Sequence, residues 1–356
     1  IRKGGEMRPR HFGLQVNEDG AAEGFTIFSP LWRPVTYLLN MAGEVVHEWE
    51  LPGLPGGYSY LLPNGNLFSA TKTDDGPPFE GGAAGGLIRE VDWNGNVVME
   101  YQDDWKHHDF RKLDNGNIIY AAWEMMPKEH SERVKGGIPG TELPEGMVND
   151  VLREVTPEGK LVWEWHAYDM DIEDYPIFPL NVRRVWAWMN TVCPLKNGDV
   201  LISFRQINSL AIIDGETKKL KWIKRDDMWG GQHDAQMLEN GNILLFANAM
   251  NTAVPHTHSF ITEFNPDTNE VVWEYRDDPD TFFYSHHISG VQRLWNGNTL
   301  ICEGSFGRIF EVTPAGEIVW EFISPHFDKM FNGQTVNWVF RALRYAKDSP
   351  EINGRV

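Results

Sequence analysis

The sequence predicts an all-β fold, a six-bladed β-propeller of four-stranded antiparallel blades whose ring closes by pairing the N- and C-terminal strands. Three observations predict it. A hairpin phrase built on Asn-Gly recurs five times, at 62–68, 113–119, 195–201, 238–244 and 294–300. A second phrase of alternating apolar and polar residues recurs six times, as in GEVVHEWEL (43–51) and GEIVWEFIS (316–324). Together they repeat at about 50 residues, the period of one propeller blade.

The elements follow in order. Asn-Gly between β-branched runs is a strong hairpin signal, and a type I′ turn is expected because both central residues then need positive φ. Each such hairpin supplies the two inner strands of a blade. Between the phrases lie third strands such as GLIREVDW (86–93), DVLREVTP (150–157), FITEFNP (260–266) and GRIFEVTP (307–314). The second phrase is the outer strand. Its aromatic residues, Trp49, Trp163, Trp165, Trp222, Trp273 and Trp320 among them, are expected to fill the wedges between blades.

Six outer strands face five inner hairpins. The first outer strand has GFTIFSP and TYLLNM before it but no innermost strand. The C-terminal run NWVFRALRY (337–345) can supply that strand, which closes the ring and removes exposed edges. The chain therefore reads as one domain over 1–356, with the propeller proper at about 24–345. Two segments, 124–148 and 169–188, interrupt the repeat as long insertions, the usual form of site walls, lids or disordered loops.

Composition bounds the function. Hydrophobic residues make up 41% and charged residues 23%, as in a folded globule. The net charge of −19 argues against nucleic acid and anionic membranes as partners, while leaving room for a local anion site. No apolar run is long enough to span a bilayer. The chain begins at Ile1 rather than Met and shows no signal-peptide pattern, which points to an upstream segment already removed. Cys193 and Cys302 sit in apolar runs and read as buried thiols. Nucleotide-binding, nucleophile-elbow, zinc-protease, Cys-x-x-Cys and EF-hand signatures are absent.

Candidate chemistry comes from register. In a propeller the innermost strands line the channel, so residues equally far upstream of the turn lie at equal depth. Seven residues before the first Asn of the turn stand His108, Asn190 and His233 in three successive blades. The fifth hairpin reaches Ser289 at that count, just after His286 and His287, and the first reaches Gly57. The closing strand brings Asn337 and Trp338 to the same level. Imidazoles from several blades on one axis point to a site at the channel mouth, with His107 adjacent. His256 and His258, on the loop after the fourth inner hairpin, are expected to be structural or exposed but within reach of the channel top. Arg205 leaves the strand LISFR, and Arg183 and Arg184 precede the blade start of Asn190. Guanidinium groups there suit a sulfate, phosphate or carboxylate.

The runs GFTIFSP, TYLLNMAGEVVHEWELPG, GGQHDAQMLENGNILLFANA, SGVQRLWNGNTLICEG, GRIFEVTPAGEIVWEF and NWVFRALRY resemble the arylsulfotransferase-type propeller family over about 24–345. The resemblance implies a six-bladed propeller that moves a sulfuryl group between phenols through a sulfated histidine, without a nucleotide donor or other cofactor. It implies His233 in QHDAQ as nucleophile, His108 in HHDF as an accessory histidine and Arg205 as the arginine, while the register of the fifth hairpin adds His287 nearby as a candidate catalytic residue. A further family histidine precedes an Asn-Ser/Thr pair. Here that place reads Trp188-Met189-Asn190-Thr191, so Trp188 stands in its position. The resemblance also implies a periplasmic or secreted location.

Other readings stay open at this stage. His108, His233 and His287, with His107 or His286, would suit a metal ion in a hydrolase or lyase. Trp186, Trp188 and Trp229 could stack on sugars while Arg183, Arg184 and Arg205 neutralise a uronate. His108 and Tyr284 would then serve as the acid–base pair of a polysaccharide lyase. A non-catalytic scaffold is the remaining alternative. On the enzymatic readings the partner is a small anionic molecule or saccharide bound at the channel mouth, with Asn190 in contact. Oligomeric state is not readable.

Overall fold

A computed structural model describes residues 11–77, 84–250, 252, 258–330 and 332–356. Six sheets of antiparallel strands form the blades, and the order of strands within each runs outward from the axis. Blade 1 is Val339–Ala346, Gly24–Pro30, Val35–Leu39 and Val45–Glu50, so the C-terminal strand is its innermost member, as expected. Blade 2 is Pro55–Leu61, Leu67–Thr71, Leu87–Val91 and Val97–Gln102, and blade 3 is Lys106–Lys112, Ile118–Met125, Val148–Val155 and Leu161–His166. Blade 4 is Met189–Pro194, Val200–Phe204, Ser209–Ile213 and Leu220–Arg225, and blade 5 is His233–Met237, Ile243–Ala247, Phe260–Phe264 and Val271–Tyr275. Blade 6 is Gly290–Arg293, Thr299–Glu303, Arg308–Val312 and Ile318–Ile323. Its outer edge carries a fifth strand, Gly13–Asn17, from the other end of the chain, which the repeat did not announce.

Second strands such as Leu67–Thr71, Val200–Phe204, Ile243–Ala247 and Thr299–Glu303 are buried at every position, because each is covered by a blade on both faces. Outer strands are more exposed, and Val97 and Val98 at the start of one are 52% and 57% exposed. Trp49, Trp165 and Trp320 fill the wedges.

All five Asn-Gly hairpins form, but not with the expected turn. Gly65 N–H donates to Leu62 C=O and Leu62 N–H to Asn66 C=O, both at 2.8 Å, with Gly65 at φ +82°. The other four repeat this pattern, and in each the glycine alone of the Asn-Gly pair has positive φ. This is a type I turn closed by a left-handed glycine, not type I′. The Asn contributes differently: its Oδ1 accepts the N–H two residues on, as Asn64 does from Asn66 at 3.0 Å.

The two insertions pair with each other. Gly136–Ile138 lies parallel to Ile177–Val182, and Val185–Trp186 extends Val148–Val155 of blade 3. Met126, Val134, Met147, Met170, Ile172 and Trp186 bury themselves in one cluster with Phe204 and Ile207 between blades 3 and 4. They build a wall beside blade 4 whose core is continuous with that of blades 3 and 4. Cys302 is buried and Cys193 half-buried, and both are free thiols. No helix of the described residues is long and apolar enough to cross a membrane.

Candidate functional site

The channel mouth owes its shape to breaks in β register. The innermost strands of blades 2 to 5 each slip against their neighbours, between Pro55 and Ser59, at His108-Asp109, at Asn190, and between His233 and Gln236. Bulges re-aim side chains that an unbroken strand would send into the wedge. Left-handed backbone accompanies them at His108 (φ 47°), Trp188 (φ 68°), Asp234 (φ 52°) and Ile288 (φ 52°). Such residues cost roughly 1–3 kcal/mol each and gather at functional sites.

These breaks bring His108, Trp188, Arg205, His233 and His287 to one cavity of about 270 Å³. Most of the remaining wall is apolar, with Trp32, Trp338 and Phe340 its aromatic members. The Phe340 ring in the lining lies 6.0 Å from that of His108 and 6.1 Å from that of His233. Trp338 meets the His287 ring edge-on at 4.4 Å.

His233 has a defined tautomer. Asn248 Nδ2 donates to the carbonyls of Ser285 (2.8 Å) and Ile288 (2.9 Å), so its Oδ1 must accept. Nδ1–H of His233 donates to that oxygen at 2.8 Å, which leaves Nε2 with a free lone pair. Burial, with the Arg205 charge adding to it, lowers the His233 pKa to about 3. The ring is neutral near pH 7.

His108 is held through a chain of contacts. Trp188 Nε1–H can only donate, and it does so to His108 Nε2 at 3.2 Å. The proton of neutral His108 therefore sits on Nδ1 and is donated to Nδ1 of His107, 2.9 Å away. His107 then carries its own proton on Nε2, which lies 3.2 Å from Asp150 Oδ1. Asp150 is itself held by the N–H of Ala187 at 2.9 Å, next to Trp188. His107 stacks on Trp123 at 4.0 Å and is fully buried behind His108, outside the cavity.

Arg205 is the site's anion-seeking group. Its Nε is buried without a hydrogen-bond partner, and among the described residues no carboxylate pairs with it. The guanidinium lies 5.7 Å over the Trp188 ring. Burial depresses its pKa to about 10, so it stays charged at neutral pH. A cation so placed is relieved by an anion in the cavity.

Other residues expected at the site lie elsewhere. Asn190 is buried and donates to the carbonyl of Gln232 at 2.7 Å, which positions the residue before His233. Arg183 is bound to Glu142 and to the carbonyls of Gly136 and Val134 within the insertions. Arg184 is exposed. Trp186 and Trp229 are core residues, and Asn337 bonds to the carbonyls of Phe306 and Ser324. Tyr284 is half-buried outside the cavity lining, so it is not brought together with His108. His258 accepts from Arg276 at 2.5 Å, and His256 lies outside the described residues. Among the described residues no three His, Cys, Asp or Glu side chains are placed to hold a metal ion.

Sequence reasoning missed Lys72 and Trp32 in the lining. Lys72 was legible. Counting eight residues forward from the first Asn of each turn reaches Lys72, Trp123, Arg205, Asn248 and Gly304, the first residue beyond the second strand in each of these blades but the third, where Trp123 is still inside it. Trp123 stacks on His107 and Asn248 orients His233, so this register also bears on the site.

The buried histidines carry a stability prediction. Burial lowers the pKa of His107, His108, His233 and His287 below 6.5 in the fold. The unfolded chain takes up these protons as pH falls through about 6.5, and the folded chain does not, so stability is full above that pH and falls below it. Each ring contributes a slope approaching ~1.4 kcal/mol per pH unit. Urea unfolding at pH 7.5 and 5.5 is expected to show a marked loss at the lower pH. Equal midpoints would mean that these rings titrate normally.

Comparisons agree with the geometry. Residues 86–325 match the family model described as arylsulfotransferase (ASST). Among solved structures, a protein of unknown function from Bacteroides caccae aligns at 12% identity and a TM-score of 0.59, covering 91% of this chain and 99% of that one. A streptogramin B lyase aligns at 13% identity and a TM-score of 0.50, covering 94% and 97%. Both are likenesses of fold alone. A comparison with curated proteins gives no match. With more than half of its length matched by the family model, and six blades meeting at a channel of histidines and one arginine, the chain belongs to the arylsulfotransferase family.

Proposed function

We propose that this protein transfers a sulfuryl group from an aryl sulfate to a phenolic acceptor through His233. One observation carries the reading: a neutral imidazole with a bare Nε2, its other nitrogen pinned by Asn248, shares a small cavity with the unpaired Arg205. In the first step Nε2 forms a bond to sulfur and the sulfur–aryl oxygen bond breaks, its electron pair leaving on the phenolate. Arg205 offsets charge on the sulfuryl oxygens, and Asn248 Oδ1 stabilises the sulfated ring through Nδ1–H. In the second step the acceptor oxygen attacks sulfur, the nitrogen–sulfur bond breaks, and the acceptor proton passes to His108 Nε2 in exchange for the Trp188 hydrogen bond.

Trp188 changes the family pattern without emptying the site. Its indole N–H is a neutral donor where a histidine would be a titratable one. The test is release of p-nitrophenol from p-nitrophenyl sulfate, with and without a second phenol. Release that rises with the acceptor, and sulfation of that acceptor, are expected. No release with any phenol would overturn the reading.

A further inference from the structure

We propose that Asp150, which lies outside the cavity, is a positioning residue for the acceptor step: through His107 it keeps Nε2 of His108 unprotonated and balances the charge that ring gains on taking the acceptor proton. The inference rests on the transfer reading for the source of that proton. Every link in the file is a short contact. Asp150 Oδ1 lies 3.2 Å from His107 Nε2, the Nδ1 atoms of His107 and His108 lie 2.9 Å apart, and Trp188 Nε1–H reaches His108 Nε2 at 3.2 Å. The other oxygen of Asp150 accepts the N–H of Ala187, the residue before Trp188, at 2.9 Å. One carboxylate thus anchors both the base and the segment carrying the indole that covers it. Asp150 and His107 are fully buried, and among the described residues His107 is the one charge partner within 4 Å of Asp150.

A proton on His108 needs that carboxylate. Burial opposes a cation there, and the charges of Arg205 and Lys106 oppose it further. When Nε2 takes the acceptor proton, the proton on Nδ1 is already directed at His107, and the proton of His107 is directed at Asp150. Positive charge therefore forms at the head of a file of donors that ends on an anion, which offsets it without touching the substrate. The resting contact leaves room to tighten. His107 Nε2 and Asp150 Oδ1 are 3.2 Å apart, yet each is buried without a well-aligned hydrogen bond. Contacts of this kind often shorten only when the reacting complex forms.

Asp150→Asn keeps the shape and reverses the file. Its oxygen is committed to the Ala187 N–H, so its NH2 faces His107 Nε2 and can only donate. The proton of His107 then moves to Nδ1, His108 must accept there, and the proton of His108 moves to Nε2, against the indole N–H. Long-range proton–nitrogen NMR of the histidine rings reads this without turnover. The wild type is expected to hold its protons on His108 Nδ1 and His107 Nε2, and the variant on the opposite nitrogens. With p-nitrophenyl sulfate the variant should keep the first burst of p-nitrophenol and lose at least about a hundredfold in transfer to phenol, the scale for a lost base. Transfer to 4-cyanophenol, which is largely ionised in mildly alkaline solution and needs no base, should fall much less. Wild-type His108 protonated on Nε2 overturns the proposal without any variant. So do tautomers unchanged by Asp150→Asn, equal losses with both acceptors, or a burst lost along with the transfer. A tautomer switch in a protein that transfers to no phenol upholds the positioning and sinks the transfer, and transfer unaffected by Asp150→Asn does the reverse.

Discussion

Alanine at position 233 is expected to lower turnover of p-nitrophenyl sulfate by at least about a hundredfold, the scale for losing a nucleophile or proton-transfer group. The fold should survive. The His233 ring donates to Asn248, and Asn248 keeps its bonds to Ser285 and Ile288 without it. The space left is continuous with the cavity, where water can satisfy the freed Asn248 oxygen. The melting temperature should therefore move little while the rate collapses. Near-normal activity in His233→Ala would remove the channel mouth as the catalytic site.

The largest loss of stability is expected at Arg341. This residue of the closing strand is 2% exposed and reaches two other blades. Its Nε lies 3.0 Å from Asp234 Oδ1, and its Nη atoms lie 3.4 Å from Asp109 Oδ2. Those carboxylates directly follow His233 and His108 in the chain. Arg341 thus locks the ring and fixes the two histidine-bearing strands relative to each other. Arg341→Met leaves the buried carboxylate of Asp234 without its cation and takes one of two from Asp109, which keeps Arg111 at 2.6 Å. It should cost about 3–5 kcal/mol, the range for breaking a buried pair from one side. Lys347, in an exposed pair with Glu23 on the same terminal segment, is the control, and Lys347→Met should cost little. Equal urea midpoints for Arg341→Met and the wild type would show that blade packing alone closes the ring.

The blades were legible because each is built from local signals. An Asn-Gly pair marks a turn whatever lies elsewhere, and the alternation of GNVVMEYQD declares an edge strand on its own. The turn type was not legible, since Asn-Gly serves both type I′ and a type I turn closed by glycine, and the outcome depends on whether Asn or only Gly goes left-handed. Gly13–Asn17 was missed because its partner, Ile318–Ile323, is about three hundred residues away and no turn joins them. The pairing of the two insertions is likewise non-local.

At the site, counting back from the turns found His108 and His233 because bulges recur at one level in successive blades. The same count could not tell a side chain aimed at the cavity from one aimed between blades, which is why Asn190 joined the list and proved to bond Gln232. His107 shows the same limit: adjacent to His108 in sequence, it faces away from the cavity and holds His108 from behind. Lys72 was readable by counting forward instead of back.

The account's central claim is covalent catalysis at His233, and intact-mass analysis tests it most directly. The protein is mixed with p-nitrophenyl sulfate in the absence of an acceptor, quenched at mildly alkaline pH and weighed. The account predicts the added mass of one sulfuryl group, mapped to the peptide containing His233, lost on adding a phenol and absent from His233→Ala. An unmodified mass alongside p-nitrophenol release, or a sulfuryl group carried on any other residue, would contradict it.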